Sequence, residues 1–245
     1  MNFSVLLSNN NRSKAYIQNM VQGGFIPSQA IVLESIGEIR PENTENDSTP
    51  AGTAPQQRRV GMPDPGVYFN DTEHVLETLS KANVHSQVID TLDVNSDDVV
   101  AAVQGVESDY IVYSGPGGTI LRKAILAQGK EFIHVHPGWL PEYRGSTTMY
   151  YSLLMDRTVS CSVILMRPRI DAGPILLRKK FQINETDVSF DYIIDPCLRT
   201  ATLIKFLSNY QECLRNPINQ ENEHANSFYI IHPVLKHLSI LGMRA

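Results

Sequence analysis

The chain is short of cysteine, of positive charge and of long apolar runs, and each shortage removes a class of protein. Cys161, Cys197 and Cys213 are its three cysteines and have no paired spacing. Neither a disulfide framework nor a thiolate zinc site is indicated, and reduced thiols in a cytoplasmic setting are expected. Lys and Arg number 21 against 26 Asp and Glu, a formal charge of -5. An acidic chain has no general attraction to phosphate backbones, so nucleic acid is not an expected partner. The local run of Arg167, Arg169, Arg178, Lys179 and Lys180 is expected to be solvated surface. No window approaches the roughly 18 to 20 apolar residues that a bilayer span needs, so no membrane partner is expected. The first residues lack a basic leader and a cleavage site and read as a buried strand. There is no internal repeat or heptad pattern, no Gly-Lys-Ser/Thr phosphate loop and no Gly-x-Gly-x-x-Gly.

What is present suits one large α/β domain: 245 residues, 42% of them hydrophobic. Short apolar runs at Phe3 to Leu7, Ala30 to Leu33, His85 to Ile89, Asp109 to Tyr113 and Phe132 to Val135 read as strands. Between them lie helical patterns from Ser13, from Asp71, from Ser96 to Val103 and from Ile120 to about Gln128. This alternation predicts a mostly parallel twisted sheet with helices on both faces. A helix follows Gly145, then strands at Val159 to Met166 and Ile175 to Phe181, then a largely helical stretch from Val188 to Leu214 interrupted near Pro196. Residues 37–65 are polar and read as a long, mobile surface excursion. The apolar stretch from Phe228 to His237 is expected to return to the core, and the same terminal segment is a candidate homodimer interface.

Chemistry concentrates in His134-Val135-His136-Pro137-Gly138-Trp139-Leu140-Pro141-Glu142-Tyr143-Arg144-Gly145. His134 and His136 are two apart in a strand, so both imidazoles face one side, at the carboxyl end where open α/β sheets bind ligands. Asp171 lies in a Pro/Gly-rich turn between two strands; beside an imidazole, its carboxylate would orient the ring and favour its protonation. Each residue also has a plainer reading: hydrogen-bonding histidines at a strand end and an ordinary turn aspartate. Two imidazoles and a carboxylate could also bind zinc or iron. Ser114-Gly115-Pro116-Gly117-Gly118 is either a tight strand-to-helix turn or a backbone-lined wall that a flat ligand can approach. Trp139, Tyr143, Arg144, Tyr150 and Tyr151 are candidates for gripping a substrate by stacking and bidentate pairing.

The segment from Phe132 to Gly145, taken with Ile170-Asp171-Ala172-Gly173-Pro174-Ile175-Leu176, resembles the folate-dependent formyltransferase family over about residues 1–185. The family pattern is Asn-x-His-Pro, a loop with Leu-Pro and Arg-Gly, and a later Asp-x-Gly-Pro-Ile; the separation of 136 and 171 fits it. The resemblance implies a Rossmann-like formyltransferase fold, with 1–200 as catalytic domain carrying the 37–65 insertion and 201–245 as a short extension. It implies His136 and Asp171 as catalytic residues, with His134 in the place of the family's asparagine. Gly117, Gly118, Thr119, Ile120 and Leu121, with Arg167, Arg169 and Ile170, would line the pterin pocket, and no metal is implied. The implied reaction passes a formyl group from 10-formyltetrahydrofolate to a primary amine of a small molecule, such as a nucleotide-linked amino sugar. A hydrolase of the same fold, with or without a metal, and a folate- or nucleotide-binding module without catalysis are the alternatives that His134 leaves open.

Overall fold

A computed structural model describes residues 1–35, 59–183, 188–220 and 227–242. Its elements follow in chain order β1 (Phe3–Ser8), α1 (Asn11–Gln22), β2 (Gln29–Glu34), β3 (Arg59–Met62), β4 (Val67–Asn70), α2 (Val75–Lys81), β5 (His85–Asp90) and α3 (Asp97–Gln104). Then come β6 (Tyr110–Ser114), α4 (Lys123–Leu126), β7 (Glu131–His136), β8 (Arg144–Gly145), α5 (Thr148–Asp156), β9 (Val159–Leu165) and β10 (Ile175–Phe181). A π-helical turn at Phe190–Ile194 leads into α6 (Asp195–Ser208), followed by α7 (Tyr210–Arg215), β11 (Ser227–Phe228) and α8 (Pro233–Leu241).

Seven strands form one sheet in the order β10-β9-β7-β6-β1-β2-β5. The pairs from β7 to β5 are parallel, while β9 runs antiparallel to β7 and β10 antiparallel to β9. Strand side chains alternate between the faces. In β1, Val5 and Leu7 join Tyr16, Ile17 and Met20 of α1 and Leu203 and Phe206 of α6 on one face. Leu6 joins Val99 and Val103 of α3 and Ile125 of α4 on the other. Helices therefore cover both faces of a mostly parallel Rossmann-like sheet, as the alternation predicts. Chain order reverses at β1, which pairs with β2 on one side and β6 on the other, opening a crevice at the carboxyl ends of β1 and β6.

Four local expectations need correction. Residues 37–58 of the expected excursion lie outside the described residues, but Arg59–Met62 is a strand paired with Val67–Asn70. Met62, Val67 and Phe69 are buried in the main core, so this end of the polar segment is structural. The helix expected from Ile120 to Gln128 is only Lys123–Leu126: the Asn95 amide donates to the Ile120 carbonyl (3.0 Å), which a longer helix would use, and accepts the Arg122 N–H (2.7 Å). Pro196 does not interrupt a helix; it lies in the first turn of α6, where its missing N–H costs nothing. The segment from Phe228 does not return to the core as a unit. Ile231 is buried, but Tyr229 and Ile230 are 83% and 79% exposed and α8 shows Val234, Leu238 and Leu241 to solvent.

Candidate active site

The site grows from the carboxyl end of β7. Val135 and Ile133 pack into one core while Phe132 packs into the other, which puts His134 and His136 with Phe132 on the crevice side. There they line a cavity of about 460 Å3 together with Tyr113, Gly117, Gly118, Thr119, Ile120, Leu121, Arg167, Ile170 and Asp171. The cavity thus gathers His134, His136, Asp171 and nearly all of the expected glycine wall. Arg169 is the exception. It does not line the cavity and is exposed, projecting from the turn whose Ala172 N–H donates to its carbonyl at 3.3 Å.

His136 is buried and both ring nitrogens are engaged. Nε2 lies 2.6 Å from the Tyr143 carbonyl, which can only accept, so Nε2 carries hydrogen. Nδ1 faces Asp171 Oδ1 at 3.4 Å. The other Asp171 oxygen accepts the Gly145 N–H at 2.9 Å. Burial alone would push the Asp171 carboxyl up; the charge and hydrogen bond of His136, with the Gly145 N–H, outweigh it and hold the group below the usual carboxylate range. Asp171 also has φ +49°, a left-handed conformation that costs a non-glycine residue about 1 kcal/mol or more. Gly145, its partner, has φ +102°, and a Cβ there would overlap the Phe228 carbonyl oxygen. Glycine is required where β8 pairs with β11.

His134 has a different environment. Its Nδ1 is buried without a hydrogen-bond partner among the described residues, and its ring stands 6.0 Å from that of Tyr113. Burial, then the positive charges of Arg199 and Arg12, push its pKa far down, so the ring is neutral. The Tyr113 hydroxyl, also buried without a partner, is pushed up to about 12 by burial. Among the described residues no group of three or more His, Cys, Asp or Glu side chains is arranged to hold a metal ion, so the two-histidine, one-carboxylate metal arrangement is not formed.

Two arginines that residue patterns did not single out also line the cavity. Arg199, on α6, pairs with Asp195 (2.8 Å) and donates to the Val135 carbonyl (3.0 Å). Arg12, on α1, donates to Ser114 Oγ (2.9 Å) and the Gly115 carbonyl (2.6 Å). Those acceptors are neutral, and no ion-pair partner of Arg12 occurs among the described residues. Burial, then the neighbouring Arg199, lower its pKa, against the raising effect of Tyr16 and Asp195. The proposed substrate-gripping residues lie elsewhere. Trp139 is covered by Arg178 and Lys180, Tyr143 stacks on Phe228, Tyr151 tilts against Phe228, and Tyr150 donates to Asp191. Arg144 is buried against Gln220. These side chains pack against neighbouring protein groups and do not line the cavity.

The carboxyl-terminal stretch closes over this arrangement. Ile218 and Ile175 exchange two backbone hydrogen bonds of 2.8 and 2.9 Å. Gln220 accepts from Arg144 Nη2 at 2.6 Å and Nε at 3.2 Å and donates to the carbonyls of Asp171 (2.9 Å) and Gly173 (2.6 Å). Ile231 N–H donates to Thr147 Oγ1 at 2.9 Å, and Ile230 reaches the cavity.

A doubly wound α/β sheet with a His–Asp pair and a second histidine at its switch-point crevice defines an α/β protein of the Rossmann-like kind. A family model described as formyl transferase matches residues 67–193, just over half of the chain, and the chain belongs to that family. It is 29% identical over 171 residues to methionyl-tRNA formyltransferase of Lactobacillus gasseri, covering 66% of this chain and 53% of that protein. Against the same protein of Rickettsia rickettsii it is 28% identical over 135 residues, 53% of this chain and 43% of the relative. The chain spans about half the length of the curated relatives it matches. Among solved structures, a sugar N-formyltransferase from a Shewanella species shares the fold with TM-score 0.55 at 18% identity, over 99% of this chain and 88% of that one. An N-formyltransferase from Helicobacter canadensis, solved with folinic acid and dTDP-3-aminofucose, has TM-score 0.55 at 15% identity, over 94% and 71% of the two chains.

Proposed function

We propose that this protein transfers a formyl group from 10-formyltetrahydrofolate to the primary amine of a small molecule that carries an anionic group, a nucleotide-linked amino sugar being the preferred class. The observation that carries this reading is the convergence of His134, His136 and Asp171 on one cavity walled by the 117–121 backbone. The wall suits a flat heterocycle: a Cβ at Gly117 or Gly118 would meet nothing within 4 Å, so peptide groups face open space. Tyr113 and His134, whose hydroxyl and Nδ1 have no hydrogen-bond partner among the described residues, belong to the lining of the same cavity. The folate donor contributes the formyl carbon; the rest of the chemistry belongs to the chain.

Attack by an amine builds negative charge on the formyl oxygen and leaves a proton to be removed. His136 has Nε2 committed to Tyr143, so its working edge is Nδ1 and the carboxylate of Asp171. Asp171, the carboxylate of that edge, takes the amine proton directly or through water, and the proton passes to the folate nitrogen as its bond to the formyl carbon breaks and tetrahydrofolate leaves. His134, neutral, donates its one N–H to the developing oxyanion, as an amide N–H would in the family's asparagine position. Arg12 and Arg199 draw the anionic part of the acceptor into the same cavity, and Arg12 in particular gains the counter-charge it lacks.

Incubation with 10-formyltetrahydrofolate and a panel of phosphate-bearing and neutral amines, followed by mass spectrometry, tests the proposal. N-formylated product from the phosphate-bearing amines is expected, with turnover retained in His134→Asn and lost in His134→Leu. Release of formate with no formylated amine across the panel would reject transfer in favour of hydrolysis, and folate binding without either product would leave a binding module.

A further inference from the structure

Asp171 works only if its turn is held in place, and what holds it comes from a distant part of the chain. The Ile175–Ile218 bridge is antiparallel, so two residues further along Gln220 stands opposite Gly173. From there its amide uses its full hydrogen-bonding capacity: two donors to the carbonyls of Asp171 and Gly173, two lone pairs to Arg144. Arg144 is buried and adjoins Gly145, whose N–H holds Asp171 Oδ2. One side chain therefore ties together the two loops that meet at the carboxylate, and it does so by gripping the carbonyl of the residue with left-handed backbone.

We propose that Gln220 is a positioning residue for the reaction: it locks the left-handed turn at Asp171 onto the Arg144–Gly145 strand, so that the carboxylate faces His136 Nδ1. The role lies outside residues 67–193 matched by the family model, two residues after the backbone bridge of Ile218 to Ile175 at the start of β10. Strained conformations persist where surrounding contacts over-determine them. Without the Gln220 donors, the Asp171 carbonyl is released and the turn can relax to right-handed backbone, swinging the carboxylate off His136. The groups that face Asp171 in this arrangement are His136, His134 and Arg144, the last close enough to feel its charge. None of them is removed by a change at Gln220.

The kinetic consequence rests on the formyl-transfer reading, so the deciding readout is independent of activity. Full-length protein labelled with 13C at aspartate carboxyls is titrated by NMR, the Asp171 resonance being the one lost in Asp171→Asn. Wild type is compared with Gln220→Met, which keeps the side chain's length but neither donates nor accepts as an amide does, and with Ile218→Pro, which removes the N–H that bonds the Ile175 carbonyl and so weakens the same segment without touching Asp171. Gln220→Asn serves in place of Gln220→Met should the latter not fold. The expected result is an upward move of the Asp171 titration in the Gln220 variant alone, by at least one pH unit. Melting temperature should fall in both variants, and kcat should fall tenfold or more for Gln220→Met with donor affinity within twofold. An Asp171 titration unchanged in a folded Gln220 variant overturns the proposal and leaves Gln220 as a brace. If wild type shows no transferase turnover, the reaction is misassigned, while the titration still decides the positioning role.

Discussion

Replacing Asp171 by asparagine separates charge from shape at the centre of the site. The amide keeps an oxygen for the Gly145 N–H, now 2.9 Å from the carboxylate, and fits the same turn. What disappears is the negative charge 3.4 Å from His136 Nδ1 and the charge-assisted character of both contacts. Hydrogen bonds to a charged group contribute about 1.5–3 kcal/mol, against about 1 for neutral ones, so a loss of about 1–2 kcal/mol of stability is expected at neutral pH. The sign with pH follows from a carboxyl held below its unfolded value. Its contribution is fully present above the unfolded carboxylate pKa of about 4 and is lost as pH falls through the lower folded value. Urea unfolding of both proteins across the acidic range should therefore show a constant gap above about pH 5 that closes on further acidification. Turnover should drop on the order of 10²-fold, because the proton-accepting edge loses its charge. A stability gap that persists unchanged in strong acid, or turnover within twofold of wild type, refutes the assigned role of the carboxylate.

Arg12→Met should raise KM for phosphate-bearing amines tenfold or more while leaving the melting temperature unchanged or higher, since the side chain is a part-buried cation with neutral acceptors only; steady-state kinetics and calorimetry check both halves. Gly145→Ala should destabilise by about 2–4 kcal/mol in urea titrations, combining left-handed strain with loss of the β8–β11 pairing, and should lower kcat through the Asp171 contact. Met62→Ala, in the β3–β4 hairpin, should cost about 2–5 kcal/mol with KM and kcat of the folded enzyme unchanged; a smaller loss would mean that the hairpin is not part of the main core.

The main sheet was legible because its strands are short apolar runs whose side chains must be covered on both faces. The two histidines were legible too, since a spacing of two in a strand leaves them no choice but the same side. Asp171 was marked by its turn. Arg12, Arg199 and Gln220 were not, and for a common reason: each has among its partners a backbone carbonyl, those of Gly115, Val135 and Asp171, which has no residue identity to read and lies far along the chain. Aromatic residues misled in the opposite direction. Trp139 and Tyr143 have the right chemistry for a ligand, but whether a ring meets substrate or a neighbouring side chain depends on loop geometry, and here Arg178, Lys180 and Phe228 cover them. The short α4 was hidden because one asparagine side chain, Asn95, takes the Ile120 carbonyl that a longer helix would use.

Among the described residues, 218–220 and 227–231 are fastened to the site by one isolated bridge, the four contacts of Gln220, the two-residue β8–β11 ladder, the Thr147 hydroxyl and the packing of Phe228 on Tyr143 and Tyr151. Such an attachment opens at far lower free energy than the seven-stranded sheet beneath it. Amide protons of Ile218 and Ile231 should accordingly exchange with solvent long before those of β1 and β6. Loss of catalysis in mild denaturant should then track this partial opening, with the sheet still intact and its circular dichroism unchanged.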